Sequence, residues 1–473
     1  MRGEQALKTP FFFNKEQFML LLSCNGIENV DLSAADARTV RFYDEMVKNG
    51  FVDSSEEPMG KLESYQRYHI YKGTYLDSIH YSVTGKCNFR CRHCLVSAPT
   101  AVHPEPDLAQ IERAADQMKE CGIRLVDITG GEPLVRKDFI DVVKAFTSRK
   151  IQIRTIFTNT ALLNAGLLDQ IEAAGQQPAF QISYDGFGCH DWLRGVNGAE
   201  EQAKAACRLL SDRGYPFAVG TCIHKGNAGS IRPLWQYLKD TSCVSVNVNA
   251  IQDLGEWKQY ADEYALSNEE VWEVYSGLIR DWFEDGMPID LLLDGFFKGT
   301  KGKTAYKVPY VKHAGKASLE KLPYCESVRH GAYLSPEGGV MPCMGFSSTA
   351  IADSFPNLYT GGTTLGDITS DPESFYYKVQ RTTVADMANC REENPECLDC
   401  EYLKKCLGGC MLEGTTPEGN YLHRDERICW FFKNVGEDKV RSIADAAIKE
   451  FCADHPGDAA DQDTDDNSHE WFL

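Results

Sequence analysis

The sequence predicts an α/β protein: a partial (β/α)6 barrel, flanked by a small N-terminal α+β module and a C-terminal segment dominated by cysteine. Three observations predict it. Strand-like and helix-like segments alternate from about residue 78 to 285. Residues 1–75 have a different rhythm and carry no cysteine cluster. Seven cysteines recur at fixed spacings between 325 and 429.

In the N-terminal module, residues 36–48 (DARTVRFYDEMVK) read as a helix closed by Gly50, with Phe51 and Val52 opening an extended stretch. A short winged-helix-like module over 1–75 is the expectation. The barrel follows. Residues 78–84, 124–129, 151–157, 180–184, 217–223 and 244–248 are strand-like. Helices are expected over 106–120, from Asp138 onward, over 162–174 and over 199–213. Such alternation implies βαβ units and a parallel sheet, and six units suit a partial barrel better than a full eight-unit one. Ser267 and Glu270 form a capping box before a helix over 271–284. Residues 286–324 show little periodicity and read as a bridge, 325–435 as the cysteine-rich domain. Residues 436–473 hold the rest of a helix expected over 435–451 and an acidic tail, whose last 20 positions carry seven Asp or Glu and no Lys or Arg. That tail reads as disordered.

The chain has 473 residues and a formal net charge of −20. The acidity argues against binding nucleic acid through a broad basic surface. No apolar run approaches the ~18 residues that span a bilayer, and the N-terminus lacks the apolar core of a secretory signal. The expected compartment is the cytoplasm, with no membrane partner. There, 18 cysteines are an anomaly, because a reducing compartment disfavours structural disulfides. Ten cluster in two arrays; Cys24, Cys121, Cys189, Cys207, Cys222, Cys243, Cys390 and Cys452 are scattered and read as buried thiols.

The first array is Cys87-Asn-Phe-Arg-Cys91-Arg-His-Cys94, directly after the first strand. Three thiolates on one tight loop suit three irons of a [4Fe–4S] cube, leaving the fourth iron open. The competing reading is a zinc knuckle. Structural zinc takes four ligands, and the adjacent His93 and Cys94 rarely share one tetrahedral ion. CxxxCxxC in this position resembles the radical S-adenosylmethionine (SAM) superfamily. The resemblance implies that the open iron chelates SAM and that an electron from the cluster cleaves it to a 5′-deoxyadenosyl radical. It places His93 near the adenine, where the family more often has Tyr or Phe. Gly130-Gly131-Glu132-Pro133 after the second strand is similar to the family's GGEP, which holds the SAM amino group. Asn159 ends the third strand in a Thr-Asn pair. Ser183-Tyr-Asp185-Gly186 resembles the SxDG that meets the ribose. Arg194-Gly195 resembles an RG whose arginine pairs with the SAM carboxylate. For Asp185 and Arg194 the plain alternative is a loop salt bridge.

The second array runs Cys325-x12-Gly338-x4-Cys343, then Cys397-x2-Cys400-x5-Cys406-x3-Cys410, then Cys429. It is similar to the seven-cysteine SPASM pattern; a zinc ribbon is the alternative. The resemblance implies one auxiliary [4Fe–4S] cluster on Cys397, Cys400, Cys406 and Cys429. A second would sit on Cys325, Cys343 and Cys410, its fourth position open or filled by Cys390. The implied cofactors are thus SAM and three [4Fe–4S] clusters, and no catalytic side chain is assigned beyond them.

Most SPASM members act on peptides or proteins. The expected activity is thioether formation (Cys sulfur to carbon) in a ribosomally made precursor peptide, its leader gripped by residues 1–75, with flavodoxin or ferredoxin as electron donor. Carbon–carbon cross-linking and epimerisation are alternatives within that class. An anaerobic sulfatase maturase is a further alternative, disfavoured because Met344 stands where those enzymes carry an Asp after the second SPASM cysteine. A non-catalytic metal-binding protein would have no use for the SAM motifs.

Overall fold

The computed structural model describes residues 14–48 except 28 and 34, residues 51–55, 57 and 60, and residues 76–455 except 99–103, 313 and 361. Two compact units result, 1–71 and 72–473. The first contains the helices Lys15–Ser23 and Ala37–Lys48. Lys15–Ser23 has no counterpart in the sequence reading. Its start is fixed by a capping box in which Asn14 and Gln17 exchange side-chain to backbone hydrogen bonds of 2.8 and 3.0 Å. The second helix is the expected one: Asp36 Oδ1 accepts from Thr39 N at 2.7 Å, and Phe42 and Met46 are buried on one face. Phe51 N and Val52 N both donate to Met46 O, so the chain turns where an extended stretch was expected. Among the described residues of this unit there is no strand; the rest of the expected wing, and the acidic tail from 456 on, lie outside the described residues.

The second unit is built on one 11-stranded sheet with the order β11-β10-β1-β2-β3-β4-β5-β6-β7-β8-β9. The strands are β1 (Ser78–Ser82), β2 (Leu125–Thr129), β3 (Gln152–Thr158), β4 (Ala179–Ser183), β5 (Phe217–Ile223), β6 (Cys243–Ala250), β7 (Asp290–Leu293), β8 (Phe297–Gly299), β9 (Tyr306–Lys307), β10 (Gly331–Leu334) and β11 (Val340–Met341). From β10 through β1 to β7 every pairing is parallel, and the outermost pairs are antiparallel. The sheet ends on β11 and β9, an open, partial barrel. Strand length, with period-two burial on β4 and β5, explains why six of its strands are visible in the sequence. On β5, Phe217, Val219 and Ile223 are buried, whereas Ala218, Gly220 and Cys222 are partly accessible. The strands from 286–324 and 325–341 are only two to four residues long, too short for a periodicity to register. β10 lies parallel beside β1, Ser78 opposite Gly331, which carries the start of the second cysteine array onto the barrel sheet.

Helix positions follow their caps. Asp107 and Gln110 form a capping box for Leu108–Glu120, and Asn164 caps Ala165–Ala173, moving that start past the expected residue 162. Asp138 occupies the N-cap of Phe139–Ser148 without bonding the helix, because its carboxylate takes the Arg136 guanidinium at 2.7 and 3.0 Å. The Ser267–Glu270 box opens Asn268–Glu284 as expected. The expected helix over 435–451 is divided from Glu426–Asn434 by Val435, then runs as Gly436–Asp454. No helix of the described residues is long and apolar enough to cross a membrane.

Candidate radical and auxiliary cluster sites

The first array sits on the loop after β1, at the C-terminal ends of the parallel strands, where a barrel of this kind places its chemistry. Cys87 and Cys94 each accept a backbone hydrogen bond at sulfur, from Phe89 N at 3.4 Å and Ala98 N at 3.3 Å. Asn159 Nδ2 lies 3.9 Å from Cys87 Sγ, and Arg194 Nη1 lies 4.0 Å from Cys91 Sγ. Each thiol therefore faces a donor able to stabilise its thiolate. Burial pushes the free Cys87 thiol up to about 12 and Cys94 to about 11. They remain protonated at neutral pH unless a cation compensates.

Four contacts lock this loop. Gly131 N donates to Thr84 O at 2.8 Å, and Glu132 N to Lys86 O at 2.9 Å. A Cβ on Gly131 would collide with the Lys86 carbonyl, so the glycine is required by close backbone docking on the cysteine loop. Gly195, at φ 67°, packs as tightly on Arg90 O. Arg90 N and Arg92 N donate to Arg194 O and Leu193 O at 3.2 and 2.8 Å. A fourth contact was not anticipated: Glu256 N donates to Cys94 O at 3.0 Å, and the Arg92 guanidinium stacks 4.7 Å from Trp192 and 5.6 Å from Tyr260.

Glu132 is 1% exposed. Its carboxylate accepts from Leu134 N at 3.1 Å, Thr158 Oγ1 at 2.9 Å and Asn159 N at 2.6 Å. Despite these bonds, burial pushes it up to about 7, because no cationic side chain of the described residues pairs with it. Gly130 and Pro133 flank it, Pro133 opening a short 3-10 turn. Asn159 Nδ2 also donates to Asn88 Oδ1 at 2.7 Å, tying the end of β3 to the cysteine loop. Ser183 ends β4, half-buried. His93 has a buried Nδ1 without a hydrogen-bond partner, and burial, helped by Arg194, lowers it to about 3, so it is neutral.

Asp185 and Arg194 form a buried pair. Asp185 is 0% exposed. Arg194 forks onto it, Nε to Oδ2 at 2.7 Å and Nη2 to Oδ1 at 3.1 Å. His190 Nδ1 lies 2.9 Å from Oδ2, and Cys222 N donates to Oδ1 at 3.0 Å. The two residues expected at the ribose and the carboxylate of one ligand hold each other, the salt bridge named as the plain alternative. A carboxylate this deep needs a cation at contact distance, and the short helix His190–Arg194 supplies it. Only Nη1, facing Cys91, is left outside the fork.

The second array divides as its spacing implies. Cys397, Cys400, Cys406 and Cys429 line one cavity, with Tyr402, Leu403, Ile428 and Phe432 around them. Burial pushes Cys406 up to about 12, although Gly408 N donates to its sulfur at 3.4 Å. Cys343, just after β11, is likewise pushed up to about 12, by burial and by Cys325, and it in turn acts on Cys410. Cys390 caps the helix Val384–Asn389 and is not among the groups acting most on those three thiols. Asp425 joins the two halves: Oδ2 accepts from Cys410 N at 3.2 Å, while Oδ1 caps the helix carrying Cys429 through Arg427 N and Ile428 N. Arg427 then bridges Asp294, at the end of β7, and Glu413, at 2.8 and 3.1 Å. Neither residue is legible in the sequence beyond lying in the charged run before Cys429.

A model of the radical SAM superfamily matches residues 81–230, the segment that carries the first array and three of its four locking contacts. Residues 81–230 carry a radical SAM domain. Among its relatives, the AdoMet-dependent heme synthase of Oleidesulfovibrio alaskensis is 24% identical over 75% of this chain and 87% of its own. The antilisterial bacteriocin subtilosin biosynthesis protein AlbA of Bacillus subtilis is 23% identical over 77% of this chain and 73% of its own. Among solved structures, Streptococcus suis SuiB bound to precursor peptide SuiA superposes with a TM-score of 0.58 at 15% identity, over 83% of this chain and 89% of that one. The barrel shares the fold of that structure. Asp185 and Arg194 lie inside the matched segment.

Proposed function

We propose that this enzyme is a maturase of a ribosomally made peptide, and that it forms thioether cross-links from a cysteine sulfur to carbon. The observation that carries the reading is the pairing of the two arrays around one barrel mouth. Asp294, at the end of β7, reaches Arg427 and through it the helix that carries Cys429. Relatives of both kinds of name support it: AlbA serves bacteriocin biosynthesis, and SuiB is solved with a precursor peptide. A tetrapyrrole-type substrate is the second reading, favoured by the heme synthase match over three quarters of the chain.

The donor sets fit the groups this assigns. Cys87, Cys91 and Cys94 would hold the first [4Fe–4S] cluster. Cys397, Cys400, Cys406 and Cys429 would hold an auxiliary one, and Cys325, Cys343 and Cys410 another. Among the described residues no group of three His, Cys, Asp or Glu side chains is placed to hold a single metal ion. When bound with SAM, the first cluster supplies the electron that yields a 5′-deoxyadenosyl radical for hydrogen abstraction. The chain's own residues do the positioning. Glu132, buried without a cation, would accept hydrogen bonds from the SAM ammonium. Asp185 orients Arg194, whose Nη1 would face the ligand's carboxylate beside Cys91. His93, neutral, would lie along the adenine, with Gly130, Pro133, Asn159 and Ser183 shaping the remaining wall. Residues 1–71, a separate unit with no metal motif, would hold the leader peptide.

The test uses the short peptide encoded beside this chain's gene, with SAM and an electron donor of flavodoxin or ferredoxin type. The expected product is lighter by two hydrogens per bridge, and its bridged cysteines resist thiol alkylation. A peptide left fully alkylatable after SAM turnover excludes thioether formation, and an aldehyde on a sulfatase-type peptide favours the sulfatase alternative.

A further inference from the structure

Arg424 stands five residues before Cys429 and has no part in the assignments above. Its guanidinium Nη1 lies 3.9 Å from Cys397 Sγ, on the wall of the cavity that all four cysteines line. Its place is fixed from behind. Arg424 N donates at 2.9 Å to Oδ1 of Asn394, which is 0% exposed and whose Nδ2 donates to Met387 O and Leu422 O at 2.9 and 2.7 Å. Arg424 Nε is taken by Glu426 Oε1 at 3.0 Å, and Nη1, 4.0 Å from Glu396 Oε2, reaches the sulfur at 3.9 Å.

The cavity has one other cation at its rim, Lys433. Lys433 is 46% exposed and closes on Glu396 at 2.8 Å, so its charge is the more strongly screened by water. The Arg424 side chain is 16% exposed, and its carboxylate partner Glu426 is 59% exposed. Charge–charge coupling falls steeply as water enters between the groups. Arg424 therefore dominates the field at Cys397.

We propose that Arg424 sets the reduction potential of the cluster held by Cys397, Cys400, Cys406 and Cys429, through its guanidinium contact with Cys397 Sγ. The inference rests on that ligand assignment. One-electron reduction adds negative charge to the thiolate-bound group. A fixed cation donating to a ligand sulfur favours the reduced form and raises the potential. Arg424 is thus a positioning residue: it touches neither SAM nor substrate, and it makes this site the easier one to reduce.

The test is an anaerobic redox titration of the full-length, iron-loaded protein with dithionite, followed by electron paramagnetic resonance. The signal of this cluster is first identified as the one lost, with its iron, in Cys400→Ala. Arg424→Gln should then retain full iron content yet shift that signal's midpoint to lower potential by at least a tenfold change in the one-electron equilibrium, ~59 mV per tenfold. Arg424→Lys should restore most of the shift, and Lys433→Gln should move it far less than Arg424→Gln. An unchanged midpoint in Arg424→Gln overturns the proposal, as does a shift that Lys433→Gln reproduces. If Cys400→Ala loses neither iron nor signal, the ligand assignment itself fails, a result distinct from either.

Discussion

Replacing Cys87, Cys91 and Cys94 together with Ala should lower the iron content of reconstituted protein from about 12 to about 8 atoms per chain and abolish SAM cleavage. The rest of the fold should persist, because these side chains pack against no core strand. The loop's shape comes from backbone contacts: Gly131 N on Thr84 O, Arg90 N on Arg194 O and Glu256 N on Cys94 O. The auxiliary cysteines lie on other segments, 325–343 and 397–429, so their iron should remain. Iron counting with circular dichroism checks both parts. Loss of all iron would mean that the arrays assemble cooperatively, and retention of all iron would remove the first array from the ligand set.

The second large effect falls on stability. Arg194→Ala should destabilise the unit 72–473 by about 3–5 kcal/mol, the usual cost of breaking a buried ion pair from one side. Asp185 is 0% exposed. Without Arg194 its charge keeps only the His190 contact at 2.9 Å and the Cys222 amide at 3.0 Å. The carboxylate also anchors β4 to β5 through Cys222 N, so the damage reaches the barrel frame. Asp185→Asn combined with Arg194→Met leaves no unpaired charge and should recover much of the loss. Denaturant midpoints of the two variants, measured before cluster loading, decide the matter. A single Arg194→Ala variant as stable as the parent would mean the pair is solvent-screened.

What the sequence discloses and what it withholds divides along physical lines. The CxxxCxxC loop and the GGEP turn are local, so spacing alone reveals them. The first six barrel strands show because they run for five to eight positions, β4 and β5 with strictly alternate burial and β2 with four buried residues in succession. β7 to β11 do not, being two to four residues long. The helix Ile231–Leu238, also unforeseen, begins without a side-chain cap. Lys15–Ser23 hides for the opposite reason: apolar residues surround it almost evenly, and none is buried. The use of Asp185 is withheld because a carboxylate facing a ligand and one facing an arginine nine residues on share the same sequence. Asp425, Arg424 and Arg427 are withheld because their partners, Cys410, Cys397 and Asp294, are 15 to 133 residues away.

The central claim, that this barrel mouth performs radical SAM chemistry, is tested most directly by mixing iron-loaded, dithionite-reduced protein with SAM under strict anaerobiosis and measuring 5′-deoxyadenosine by chromatography and mass spectrometry. The account predicts 5′-deoxyadenosine and methionine in equal amounts, with neither formed by Cys91→Ala. Intact SAM in the presence of fully loaded, reduced protein would contradict it.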